Sequence, residues 1–210
     1  MAPEFGADDV EVLDRERAYD GFFKLDRLRL RHRKFDGGWS VELPRELIVR
    51  RDAVGVLLYD PRLDAVALIE QFRTGVIGAT PHADGSRKSP WILELVAGLI
   101  DRDEAPAAVA RREALEEAAC EVLALEPVSA FFMSPGGTNE YVHLFCGRCD
   151  LREAGGVHGL AEEHEDIRVH VLGSEAAFAL LRDGGIRNAL TIIALQWLQM
   201  QRERLRREWC

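Results

Sequence analysis

The sequence predicts an α+β protein, a mixed β-sheet packed with helices and preceded by a small N-terminal β-rich unit. Three observations carry that expectation. Basic and apolar residues alternate over residues 27–35, which is the two-residue period of a strand with one solvated side. Two short runs rich in Leu and β-branched residues, 53–58 and 66–69, flank the turn-forming cluster Asp60-Pro61-Arg62-Leu63-Asp64 and read as a buried hairpin. Ala110, Ala114 and Ala118 then recur at helical spacing behind Pro106, which suits a first helical turn.

Taken in order, residues 27–35 pair through Asp36-Gly37-Gly38 with a second extended stretch, 39–49. The basic alternation there is read as a solvated strand face in preference to an anion-binding one. Residues 1–50 form the N-terminal unit and 51–210 the main domain. Residues 74–90 hold Gly75, Gly78, Pro81, Gly85, Ser86 and Ser89 without periodicity, so a mobile loop is expected. A strand resumes over 91–97 and ends at Gly98. The helix over 106–119 carries a stripe of alanines, so it can lie close against the sheet, and Glu104 stands where a negative charge favours the helix dipole. Strands follow over 127–133 and 141–149, then an acidic loop over 155–166 and a strand over 167–171. Ser174 is expected to cap a short helix through Leu181, and 189–206 reads as a longer amphipathic helix.

With 210 residues and 47% hydrophobic composition, the chain is long enough to bury a core without disulfides. The net charge of −9 argues against a nucleic-acid or membrane-surface binder, and no secretory leader or membrane-spanning run is expected, which points to the cytoplasm. An acidic chain that acts on a phosphate substrate needs cations between the two. Cys146 and Cys149 form a C-x-x-C pair, but it lies in an expected strand and lacks further ligands at zinc spacing, so both are read as ordinary reduced cysteines.

Chemistry concentrates in residues 98–119. Glu113, Glu116 and Glu117 stand at i, i+3 and i+4, within about 100° of the helix circumference. Such like-charge pairs repel by roughly 0.2–0.5 kcal/mol each even when exposed, and a cation relieves that repulsion. Oxygen ligands with open positions suit Mg²⁺ or Mn²⁺ better than zinc. Gly98, Glu104, Arg112, Glu113, Glu116, Glu117 and Ala119 follow the arrangement G-x5-E-x7-R-E-x-x-E-E-x-A. Gly98 lets the chain bend so that the Ala97 carbonyl faces the ions, and Glu104 and Arg112 are placed to pair.

This arrangement resembles the signature of the Nudix hydrolase family, G-x5-E-x7-R-E-U-x-E-E-x-G-U, where U is a bulky apolar residue. Ala114 stands at the first U, and Ala119-Cys120 replaces the final Gly-U. Glu70-Gln71-Phe72-Arg73, Glu94-Leu95-Val96-Ala97-Gly98, Ser134-Pro135-Gly136-Gly137-Thr138, residues 158–170 and residues 193–199 are similar to its bacterial ADP-ribose pyrophosphatase branch. The resemblance implies the Nudix fold, a mixed sheet sandwiched between helices, with the N-terminal unit serving dimerisation. It implies Mg²⁺-dependent hydrolysis of ADP-ribose to AMP and ribose 5-phosphate, with about two or three Mg²⁺ ions, Mn²⁺ as a substitute, and a homodimer.

Carried over by position, the resemblance assigns the metal to the Ala97 carbonyl, Glu113, Glu117 and Glu165, and the general base to Glu163. The preference for Glu163 over Glu162 rests on the resemblance alone. Glu116 and Arg112 support the metal shell, and His164 reads as a spacer. The same carry-over gives substrate contacts to Phe22, Phe23, Arg45, Glu46, Arg50, Arg73, Leu99, Ser134, Gly136 and Glu140. The first five of these would form part of an adenine pocket across the dimer, where an aromatic face beside an arginine suits a purine. Two rival readings are a hydrolase of another ADP-sugar, a GDP-sugar or a dinucleotide, and a module that binds ADP-ribose without cleaving it. The retained carboxylates argue against the second.

Overall fold

The computed structural model describes residues 4–81, 84–101, 103–160, 162 and 164–210. The chain divides into two compact units, Met1–Asp52 with Phe131–Tyr141, and Ala53–Ala130 with Val142–Cys210.

The first unit is a three-stranded antiparallel sheet of β1 (Val10–Asp20), β2 (Lys24–His32) and β3 (Leu43–Val49). The sequence reading had only two of these strands. β1 reads Val-Glu-Val-Leu-Asp-Arg-Glu-Arg-Ala-Tyr-Asp, so charged that its period-2 pattern is hidden, and its residues are exposed or half-buried. Its charges are used across the ribbon: Arg15 and Arg17 both bond the buried Asp26 of β2, and the Arg17 hydrogen bond holds that carboxyl below the usual carboxylate range. Residues 131–141 join this unit because Ile48 N donates to Gly137 O at 2.8 Å, and the Asn139 side chain exchanges two hydrogen bonds with the Arg50 backbone.

The second unit is built on an eight-stranded mixed sheet. Its strands are β4 (Ala53–Asp60), β5 (Ala65–Phe72), β6 (Trp91–Glu94), β7 (Val96–Leu99), β8 (Ala124–Phe132), β9 (Tyr141–Arg148), β10 (Gly156–His158) and β11 (Ile167–Gly173). Along the main path the order is β10-β11-β5-β4-β9-β8, with β6 beside β5 and β7 beside β4. The pairing of β4 with β9 is parallel, whereas β10 with β11, β11 with β5, β5 with β4, β4 with β7 and β5 with β6 pair antiparallel. All eight residues of β4 are buried, as a central strand covered on both faces requires.

Helices cover both faces. Val54 and Val56 pack into one cluster with Val109, Ala110, Ala114 and Ala118 of α1 (Pro106–Ala118). Gly55, between them, points the other way, where an added Cβ would meet Leu95, Leu144 and Leu190. Leu190 belongs to α3 (Ala189–Trp209), which lies with α2 (Ser174–Arg182) on that second face. α1 opens with Pro106 and closes at Ala119, in the left-handed region at φ 49°.

Three local expectations are corrected. The strand expected over 91–97 is two strands, because Leu95 N leaves the ladder and donates to Thr191 Oγ1 of α3 at 2.9 Å; β7 then runs through Gly98 to Leu99. Ser174 does not cap α2: Gly173 is the capping residue, and Ser174 Oγ donates instead to Asp64 Oδ1 at 3.0 Å. The acidic loop also contains β10, whose Gly156–His158 pairs with β11.

Candidate active site

The carboxylates of α1 reach the site because the helix packs so closely. Its alanine stripe puts the helix against β4 and β7, and Glu117, one residue before the stripe's last alanine, is carried inside with 3% exposure. There Glu117 Oε2 accepts a hydrogen bond from Ala97 N on β7 at 3.0 Å. Glu113, one turn earlier, lies directly against Gly98, where any Cβ would overlap its carboxylate. Glycine at 98 therefore leaves room for the Glu113 carboxylate, and does not end the strand.

Burial without a countercharge disfavours ionisation. Burial pushes the Glu113 carboxyl up to about 7 and that of Glu117 up to about 8. The charge of Glu165, on the loop before β11, adds to both shifts, so this residue is within electrostatic reach of the helix pair. Its own Oε2 accepts from Leu160 N at 3.1 Å. Gly159 stands tight against it at φ 106°, where a Cβ would come 2.7 Å from the Glu165 Cβ. Ala97, Glu113, Glu117 and Glu165 are thus gathered in one region.

Arg112 organises the outer side of the cluster. Its Nε and Nη2 each donate to Glu104 at 3.2 Å, while Nη1 lies 2.8 Å from Glu116 Oε2 and 2.9 Å from Glu113 Oε1. Glu104 therefore serves the arginine fork rather than the helix end. Among the described residues no three His, Cys, Asp or Glu groups stand close enough to grip one metal ion together. The donor set nonetheless fits a hard divalent cation: it is all oxygen, partly buried, and carries charge that its surroundings disfavour. Glu163, the expected general base, lies outside the described residues.

Arg73 follows β5. Its Nε donates to Glu94 Oε2 at 2.6 Å, and its charge acts weakly to lower the Glu117 pKa, so it is within electrostatic reach of that carboxylate. Gln71, one position back on the same strand face, is buried, with an Nε2 that has no partner among the described residues. Leu99 is half-buried on β7 opposite Ala53. Sequence reasoning missed Glu94 and Asn188, because their partners are distant in the chain. Glu94 reads as one acid in a strand until Arg73 and Asn188 are seen on its two oxygens.

The other expected substrate contacts fall in the first unit. Phe22 and Phe23 pack edge to face at 5.0 Å, and the Arg50 guanidinium lies 5.1 Å from the Phe23 ring centre. Arg50 Nε is also 3.2 Å from Glu140 Oε1. Phe22 is 85% exposed, which rules out a core role within the chain. Ser134 O accepts from Gly137 N and Thr138 N, making a compact turn, and nothing lies within 4 Å of where a Gly136 Cβ would be. Arg45 and Glu46 are exposed on β3; Arg45 Nη1 donates to Pro44 O, and neither is drawn into the Phe23–Arg50–Glu140 group. A cavity of about 160 Å³ at the far end of β4, lined by Asp60, Arg62, Arg148 and Trp209 among others, contains none of the expected site residues.

Cys120, Cys146 and Cys149 are buried free thiols; burial pushes all three up, away from reactivity. No helix among the described residues is long and apolar enough to cross a membrane.

Comparison with known proteins agrees with this geometry. The NUDIX domain family matches residues 49–187. The chain is 47% identical over 205 residues to the ADP-ribose pyrophosphatase of Escherichia coli (strain K12), covering 98% of this chain and 95% of that one. It is 34% identical over 197 residues to the GDP-mannose pyrophosphatase of Cronobacter sakazakii, with 91% and 96% covered. A crystal structure described as an ADP compounds hydrolase superposes with a TM-score of 0.64 at 20% identity, over 92% of this chain and 96% of that one.

Proposed function

The chain belongs to the Nudix hydrolase family, and on that premise we propose that it cleaves the diphosphate of ADP-ribose with water, giving AMP and ribose 5-phosphate. The observation that carries this reading is the buried Glu117 and the half-buried Glu113 one turn before it, held beside Ala97 and Gly98 with Glu165 in electrostatic reach. The Ala97 carbonyl, Glu113, Glu117 and Glu165 would hold Mg²⁺, two or three ions by family resemblance, with Mn²⁺ able to replace it. When bound, the divalent ions supply charge to offset the diphosphate and lower the pKa of an attacking water. Glu163 accepts that water's proton. Arg112 fixes Glu104 and Glu116 so that the helix carboxylates keep their spacing, and Arg73 and Leu99 border the diphosphate.

The adenosine end is assigned to the first unit, with Phe22, Phe23 and Arg50 stacking on the purine and Arg45, Glu46, Ser134, Gly136 and Glu140 completing the contacts. A homodimer suits this unit, whose sheet leaves Val10, Val12, Tyr19 and Ile48 exposed, as are Phe22 and Phe23 in the turn between β1 and β2. The acidic composition supports a cytoplasmic enzyme without nucleic-acid or membrane partners.

The test is a panel of ADP-ribose, other ADP-sugars, GDP-mannose and dinucleotides, each with Mg²⁺. The expected result is the highest kcat/KM for ADP-ribose. A higher value for GDP-mannose would move the chain to a different substrate class, and tight ADP-ribose binding without turnover of any member would make it a binding module.

A further inference from the structure

We propose that Glu94 is a positioning residue, which holds Arg73 by one nitrogen so that the terminal nitrogens of the guanidinium remain available to the substrate's diphosphate. This rests on the reading of Arg73 as a diphosphate contact. Glu94 ends β6 at the corner where the chain leaves one ladder for another, and it is 4% exposed. A carboxylate buried this far needs both oxygens satisfied. One oxygen accepts from Arg73 Nε at 2.6 Å and the other from Asn188 Nδ2 at 2.6 Å.

Asn188 is itself fixed. It is the N-cap of α3, and its Oδ1 accepts from Thr191 N and Thr191 Oγ1, both at 3.1 Å. Thr191 Oγ1 accepts in turn from Leu95 N, the residue after Glu94. The circuit Glu94–Asn188–Thr191–Leu95 therefore returns to its own strand corner, and the carboxylate has no freedom to follow a moving partner.

The arginine side is asymmetric. Arg73 is held at its backbone by Pro90 O, at 2.8 Å from Arg73 N, and at its side chain through Nε alone. Its Nη1 and Nη2 make no hydrogen bond with a described residue. Left untethered, an arginine within electrostatic reach of Glu117 would turn its fork onto that carboxylate, as Arg112 does with Glu104. Glu94 prevents that by holding Nε. The terminal nitrogens then face an incoming diphosphate without first breaking an ion pair, which is preorganisation of a charged contact.

A double-mutant cycle on ADP-ribose hydrolysis tests the idea, with kcat and KM measured for the wild type, Glu94→Gln, Arg73→Ala and the double variant, and with Mn²⁺ affinity followed by electron paramagnetic resonance. Glu94→Gln is expected to lower kcat/KM roughly 10-fold while Mn²⁺ affinity stays within about twofold, and to have almost no effect in the Arg73→Ala background. Asn188→Ser keeps a helix cap but removes the second hold on Glu94. It should give a smaller loss that also vanishes without Arg73, and it carries the cycle if Glu94→Gln does not fold. Equal losses from Glu94→Gln or Asn188→Ser in both backgrounds would overturn the proposal while leaving Arg73 as a contact. Wild-type kcat/KM in Arg73→Ala would instead remove the premise, so the two failures are distinguishable.

Discussion

At the scale of single residues, Glu117 and Glu113 pay most for their position, since one is buried and the other half-buried as potential anions next to each other. Glu117→Gln should weaken Mn²⁺ binding by about tenfold or more, because it removes an anionic oxygen donor and leaves a neutral amide. Isothermal titration of the variant checks this. Glu163→Gln should leave Mn²⁺ affinity near the wild-type value yet lower kcat by about 10²- to 10⁴-fold, the range for loss of a general base. If both variants lost metal and turnover equally, the division of roles would be wrong. Gly98→Ala should displace the Glu113 carboxylate and reduce Mn²⁺ affinity, although a Gly-to-Ala change in most strands is mild. The box was legible in sequence because its acids share one helix, where spacing alone puts Glu113 and Glu117 one turn apart. Glu94 was not legible, since its two partners lie 21 and 94 residues away in the chain.

At the scale of elements, the turn between β4 and β5 is tied to both C-terminal helices through Asp64. Arg202 Nε donates to Asp64 Oδ1 at 2.8 Å and its Nη1 reaches Glu175 at 2.5 Å, while the hydroxyls of Tyr59 and Ser174 both donate to Asp64 Oδ1 at 3.0 Å. The Arg202 hydrogen bond is the main reason the Asp64 carboxyl is held at about 2. An unfolded aspartate titrates near 4, so the folded state binds its proton less readily, and this stability is fully present above about pH 4 and lost as pH falls through about 2. The shift corresponds to about 2 kcal/mol at neutral pH. Asp64→Asn should therefore lower Tm by on the order of 5 °C at pH 7, and the gap from wild type should close toward pH 2, read by calorimetry. Asparagine tolerates the left-handed conformation of residue 64, at φ 52°, so backbone strain does not confuse the result. Element type was legible wherever a periodic face was buried, as in β4, β5, α1 and α3. β1 was not, because a ribbon strand with mostly exposed side chains has no apolar stripe to betray it. The break at Leu95 was hidden for another reason: it depends on Thr191, 96 residues away in the chain.

At the scale of the whole molecule, the two units divide the labour proposed for them: carboxylates and their arginines in the second, and the aromatic–arginine group in the first. The strand-rich character of the N-terminal unit was legible from its two extended stretches over residues 27–49. The return of residues 131–141 to the first unit was not, since it is made by backbone bonds to Ile48 and Arg50 that have no sequence pattern. Sedimentation equilibrium should give twice the monomer mass of 23.6 kDa, and Phe22→Ala with Phe23→Ala should raise KM for ADP-ribose more than it lowers kcat, because these rings are assigned to binding the base. The most direct measurement of the central claim is ³¹P nuclear magnetic resonance of ADP-ribose incubated with the purified chain, with Mg²⁺ and then with excess EDTA. The account predicts loss of both diphosphate resonances and their replacement by the phosphomonoesters AMP and ribose 5-phosphate in Mg²⁺, with no change in EDTA. Persistence of the diphosphate in Mg²⁺, or equal cleavage in EDTA, would contradict it.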